Sequence, residues 1–309
     1  MLGTIVVLLG LVVFEIVNSI DNAIVNAHVL RTVSARARRW FLIWGILTAV
    51  VVIRGVLPFL IVWLSASELS FVEALRATFG GDAEIGHIIE EKKFIILMGG
   101  GIFLALLYLH WLFLEKKEPF FIPDKLIKPH YGIWFFGFTA VLLVVLLYLS
   151  RASPLMMLSA AIGNAVFFIL YGFKEQAEKK EHELHGAHLS DISKLMYLEI
   201  LDTTFSFDGV LGAFAFTTNV ILILIGNGIG ALVVRDLTIR GIDRVARYKW
   251  LKNGAMTSIG LLGVFMMVEA FGIELPEWIP TVITLALVGV AFFASHRLLK
   301  KEGVVHLHV

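Results

Sequence analysis

The chain has 309 residues, of which 58% are hydrophobic and 17% charged, with a mean hydropathy of +0.86. A soluble domain runs nearer half apolar and a quarter charged, so this composition excludes an ordinary soluble enzyme. At about 20 apolar residues per membrane crossing there is material for about nine crossings, and the lack of cysteine excludes disulfides, thiolate metal sites and a cysteine nucleophile.

Apolar runs taken in chain order predict nine helices, at 4–30, 40–65, 94–114, 132–149, 153–173, 195–216, 219–239, 254–272 and 280–298. The first run has no basic leader and no small-residue cleavage pattern, so it reads as a retained helix. Bases then orient the set. Arg31, Arg36, Arg38, Arg39, Lys116, Lys117, Lys125, Lys128, Lys174, Lys179, Lys180 and Lys194 fall on one side. Arg235, Arg240, Arg244, Arg247, Lys249, Lys252, Arg297, Lys300 and Lys301 join them, whereas the other side holds only Arg76, Lys92, Lys93 and Arg151. The positive-inside rule then puts the N-terminus outside and the C-terminus in the cytoplasm. The expectation is an all-α polytopic protein of a bacterial or archaeal cell membrane, with lipid as its surroundings and no nucleic-acid partner. The acidic connection from Ser65 to Lys93 reads as a solvated outer loop.

Ionisable side chains inside a span cost about 2.5–3.5 kcal/mol to insert and mark function. Glu15, Asp21, Glu199, Asp202, Asp208 and Glu269 are of this kind, and all but Glu269, near a helix end, fall in two helices. Aligning Asp21 with Asp208 also aligns Glu15 with Asp202, Ser19 with Ser206 and Asn22 with Gly209. The chain therefore repeats acid-x3-Ser-x-Asp-(Asn/Gly), in helices predicted to run in opposite directions. Such duplication suggests the inverted-topology repeat of secondary transporters, with ions bound near the midplane. The halves would be 4–114 and 195–298.

Glu15, Asn18 and Asn22 share one helical face, as do Glu199, Asp202 and Ser206. Asp21 and Asp208 lie about 240° round from the aligned acids on an ideal helix. Both acids of a motif face one cavity only if the helix is distorted, at Ser19–Asn22 and Ser206–Gly209, where side chains compete for backbone hydrogen bonds. Carboxylates, amides and hydroxyls form a hard oxygen shell suited to Mn²⁺, Ca²⁺ or Mg²⁺ as a transported cation. Arg54, the one base within a span, either pairs with an acid or snorkels to headgroups.

The paired motifs, Glu15 to Asn22 and Glu199-x2-Asp202-x3-Ser206-x-Asp208, resemble the TerC family of integral membrane proteins in a long form with nine spans. The resemblance implies a metal-ion exporter of the lysine-exporter-like superfamily, several of whose members are assigned to Mn²⁺ export, with an older association with tellurite resistance. It also implies Glu15, Asp21, Asn22, Asp202 and Asp208 as ligands, with Glu199 beside them. Gly209 departs from the polar residue often found after the second aspartate.

The leading expectation is a secondary transporter, not an enzyme, that exports Mn²⁺ and releases it when outer protons reach the clustered acids. The alternatives are an intramembrane aspartyl protease built on Asp21 or Asp202 with Asp208, and a non-transporting membrane protein with a structural ion. Elsewhere, the 174–194 loop carries His182, His185 and His188, and the tail His306 and His308. These read as solvated segments, and His28 and His110 as structural. The Gly226/Gly228/Gly230 run points to close helix packing. Asn164 and Asn227 are polar span residues left outside the ligand set.

Overall fold

The computed structural model describes residues 2–45, 54–65, 68–80, 90–127, 132–184, 190–240 and 245–301, without the side chains of Asp21, Leu42, residues 77–80, residues 174–184, Leu201, Thr204, Phe205 and Arg240. Every regular element among them is helical. The helices are α1 (Leu2–Asn18), α2 (Ile20–Leu30), α3 (Ala35–Trp40), α4 (Leu57–Ser65), α5 (Phe71–Gly80), α6 (Lys93–Leu114) and α7 (Ile122–Leu126). They continue as α8 (Gly132–Leu149), α9 (Pro154–Leu184), α10 (Asp191–Ala213), α11 (Val220–Arg240), α12 (Leu251–Ala270) and α13 (Trp278–Lys301).

Six stretches are long and apolar enough to cross a membrane, in α6, α8, α9, α11, α12 and α13, and α1 with α2 forms a seventh as one bent span. This is an all-α integral membrane protein. The expected spans 40–65 and 195–216 fall short of the same measure for different reasons. Of the first, residues 46–53 lie outside the description and Arg54–Ser65 is a short apolar helix. The second is α10, whose 23 residues have the length but whose acids dilute its apolar character. Length and composition thus assign six to seven crossings among the described residues. The figure of nine depends on those two stretches.

Helix α6 is the core of the bundle, with 72% of its span buried, whereas α8, at 17%, turns side chains such as Ile133, Trp134 and Val144 outward. Lipid solvates such a face as well as a protein interior does, so only close packing and hydrogen bonding hold the helices together. Where α6 crosses α12, a Cβ on Gly101 would stand 2.9 Å from the Gly263 carbonyl, and one on Gly263 would stand 2.8 Å from the Gly101 carbonyl. Two glycines therefore let the backbones touch. Helix α1 is the second hub, packed against α11, α13 and α10.

The first acidic motif straddles a break in its helix. The axis turns by 51° between α1 and the 22–30 stretch, and Ser19 at the corner has φ −89°, ψ 1°, in the bridge region. The ladder survives, with Ser19 N–H donating to Glu15 O (3.0 Å) and Ala23 N–H to Ser19 O (2.9 Å). The distortion expected at Ser19 is thus present as a bend. At Ser206 the expectation fails, because α10 runs helically through Ser206, Asp208 and Gly209. The Ser206 hydroxyl donates to Asp202 O one turn back (2.6 Å), which satisfies the side chain without opening the ladder.

Two contacts fix the start of α10 against the α2–α3 corner. Lys194 Nζ donates to Thr32 O (3.1 Å), and Asp191 Oδ2 accepts from Ser34 N–H (3.2 Å). The acids of α10 thereby acquire a fixed height relative to those of α1 and α2.

Candidate functional site

The two motifs meet face to face. Glu15 lies against Gly209, whose Cβ position is 2.7 Å from Glu15 Oε2. Two turns along, Asn22 Nδ2 donates to Asp202 Oδ1, and in the other direction Phe14 fills the space over Gly212. Position numbers rise on one helix as they fall on the other, so the motifs run antiparallel, as expected. Glu15 aligns with Asp202 and Asn22 with Gly209, so the contacts 15–209 and 22–202 exchange when the two copies are interchanged. Reciprocal contact of this kind is the signature of a two-fold interface.

Glu15 is fully buried, and so is its partner. Arg54 donates from Nε (2.9 Å) and Nη2 (2.6 Å) to Glu15 Oε1, and Ser19 Oγ donates to the same oxygen (2.7 Å). Of the two readings of Arg54, pairing is therefore the one found. Asp202 also lies close enough for its charge to act on the guanidinium. The local sequence explains the reach. Pro58 has no N–H to return to the Arg54 carbonyl, and residues 54–56 form a π turn at the head of α4, which turns Arg54 inward.

Small residues bring α11 under the same carboxylate. A Cβ on Gly226 would lie 2.5 Å from Leu11 Cβ, and one on Gly230 would lie 2.6 Å from Glu15 Cβ. The glycine run is thus a packing seam, as its composition predicts, and one member supports the acid itself.

Glu15, Asn22 and Asp202 are brought together with Arg54. Glu199 stands one turn before Asp202, half-buried, against Gly45. It lines a cleft of about 710 Å³ between α3 and α10 with Ser34, Arg36, Trp40 and Asp191. Asp208 is half-buried on α10. The Asp21 side chain lies outside the description, and no group of three or more Asp, Glu or His is close enough to chelate a metal among the described residues. Among the buried side-chain oxygens with no partner among the described residues are Glu15 Oε2, Asn22 Oδ1, Asn26 Oδ1 and Glu199 Oε1. Buried polar groups are normally satisfied. Carboxylate and amide oxygens are the kind of ligand that hard cations such as Mn²⁺, Ca²⁺ or Mg²⁺ take.

Residues 20–302 match a family described as protein of unknown function, DUF475. The chain belongs to that family. A stretch of 107 residues is 30% identical to the uncharacterized membrane protein YceF of Bacillus subtilis (strain 168), covering 35% of this chain and 41% of that protein. The chain thus spans less than half the length of this curated relative. No solved structure matches it.

The remaining polar residues of this DUF475 chain separate from the site. Glu269 accepts from Leu275 N–H (3.3 Å) at the end of α12, and His110 packs its ring on Tyr171 (4.2 Å between centroids), as a structural histidine does. Asn164 is half-buried on α9. His182 lies in the stretch of α9 whose side chains are undescribed, and His185, His188, His306 and His308 fall outside the described residues. Two amides were underrated by sequence reasoning. Asn26 is buried one turn past Asn22 on α2, and Asn227 is fully buried between Gly226 and Gly228, with neither amide atom of Asn227 partnered among the described residues. An amide inside a glycine seam was the signal for Asn227.

Proposed function

We propose that this protein is a secondary transporter of the TerC type that exports a divalent cation, with Mn²⁺ the first candidate and Ca²⁺ and Mg²⁺ behind it. The reading is carried by the reciprocal, antiparallel docking of the two acidic motifs. That geometry is what an inverted repeat with a midplane site requires, and it supports halves of about 4–114 and 195–298; the distribution of Lys and Arg supports an N-terminus outside and a C-terminus in the cytoplasm. The ligand set comprises Glu15, Asp21, Asn22, Asp202 and Asp208, with Glu199 at the end of the α3–α10 cleft as the acid met on loading. Arg36 and Asp191 at the mouth of that cleft lie toward the end assigned to the cytoplasm. Protons arriving from outside neutralise the carboxylates and release the cation.

The test is flux of Mn²⁺ from loaded proteoliposomes. Wild-type protein is expected to carry Mn²⁺, and Asp21→Asn and Asp208→Asn are expected to abolish the flux. Undiminished flux in both variants would refute the reading.

A further inference from the structure

We propose that Arg54 is the resident counter-cation of the site: its guanidinium holds Glu15 while the site is free of cargo, and a divalent cation loads by displacing it. The inference rests on the divalent-cation reading above and adds what sets affinity and selectivity.

The geometry differs from that of a structural ion pair. Arg–carboxylate pairs are frequently fork to fork, one N–H to each oxygen, which satisfies both oxygens. Here Nε, Nη2 and the Ser19 hydroxyl all converge on Oε1, and Oε2 has no partner among the described residues although Glu15 is 0% exposed. The free oxygen faces α10 at Gly209, the side from which the second motif supplies its acids. One half of the carboxylate is held, and the other half is open toward the ligands of the opposite copy.

Charge explains the selectivity. Arg54 brings one positive unit to Glu15, at the face where the two copies meet. A divalent cation held between the two copies brings one more positive unit than the guanidinium it displaces. A monovalent cation brings no more charge than Arg54 already supplies, with none of its directional hydrogen bonds. Arg54 thus filters by valence.

The experiment measures Mn²⁺ binding to full-length protein in detergent by loss of the free-ion resonance signal, for wild type, Arg54→Gln, Arg54→Lys and the double variant Glu15→Gln/Arg54→Gln. Arg54→Gln is expected to bind Mn²⁺ at least about tenfold more tightly than wild type, and excess K⁺ is expected to compete in that variant only. Arg54→Lys keeps the buried charge balanced and so guards against misfolding. With a single ammonium in place of the fork it is expected to fall between the two. The double variant, which lacks both charges, is expected to bind more weakly than Arg54→Gln. If Arg54→Gln and Arg54→Lys bind Mn²⁺ no more tightly than wild type, Arg54 is a brace and the inference falls while the transport reading stands. If no folded protein in the set binds Mn²⁺ by this signal, nor Ca²⁺ or Mg²⁺ by titration calorimetry, the cation reading falls and takes the inference with it.

Discussion

Gly230→Ala is the sharpest test of how α11 holds the site. The new Cβ would stand 2.6 Å from Glu15 Cβ, 2.7 Å from Glu15 Cγ and 3.1 Å from the Val12 carbonyl. Carbon atoms pack at about 3.5–4.0 Å, so α1 and α11 must separate by roughly 1 Å. The atoms in the way are a Cβ and a main-chain carbonyl, which have no rotamer to escape into. Overpacking of this kind costs about 1–3 kcal/mol, here at the upper end, and alanine's helix preference returns about 1 kcal/mol. The net loss is about 2 kcal/mol, equivalent to roughly 4–8 °C in melting temperature. Gly137→Ala is the control, because nothing lies within 4 Å of its Cβ position and only the helix preference acts. Thermal unfolding in detergent, followed by tryptophan fluorescence, should show Gly230→Ala below wild type and Gly137→Ala at or above it. Equal melting temperatures for the two glycine variants would refute the close packing of α11 on Glu15.

Three further outcomes follow from the same geometry. Glu15→Gln leaves Arg54 buried without its counter-charge and should cost about 3–5 kcal/mol, whereas the double change Glu15→Gln/Arg54→Gln should cost much less; a double-mutant cycle on chemical unfolding measures the difference. Asn22→Leu removes the donor to Asp202 and should destabilise by about 1–3 kcal/mol, and adding Asp202→Leu should recover part of that loss. In the connection between α4 and α6, Glu73 accepts from the Ser70 N–H (2.8 Å) and hydroxyl (2.7 Å) at the head of α5. The Ser70 side-chain and backbone hydrogen bonds, followed by the charge of Arg76, hold the Glu73 carboxyl below its usual value of 4.5. A depressed folded value gives stability that is present above pH 4.5 and lost as pH falls through the lower folded value. Hydrogen-exchange protection of residues 71–75 should therefore fade below pH 4.5, and Ser70→Ala should move that fading upward.

The helices were legible wherever apolar runs are long, because lipid imposes length and composition directly: 132–149 is matched by α8, and the predicted bounds at 94–114 and 219–239 shift by one residue at one or both ends. Helix α5 was missed because an amphipathic surface helix carries acids and bases that read as a loop, although Ser70 and Glu73 spell its capping box. The pairing of Arg54 was legible as an imbalance of charge inside the membrane. That Glu15 is its partner was not, since the choice depends on where α4 docks. The position of the bend at Ser19 agrees with the sequence, but its expected cause does not, since the Ser19 hydroxyl bonds the Glu15 carboxylate and leaves the backbone ladder intact. The same logic failed at Ser206, because that hydroxyl is satisfied by its own helix.

The difference between the copies also gives Gly209 a role. It stands where the first motif has Asn22, and read as a ligand position it is a loss. Across the interface, however, Gly209 faces Glu15, while Asn22 faces Asp202. A long acid meets a residue with no side chain, and an acid one methylene shorter meets an amide that reaches out to it. Both contacts fill a similar gap, once from one side and once from both. If Gly209 were a polar residue, Glu15 could not hold its present position, with Oε1 on Arg54 and Oε2 toward α10. The glycine therefore belongs to the site as the space that Glu15 occupies, and Gly209→Asn should disturb the Glu15–Arg54 pair before it adds a ligand.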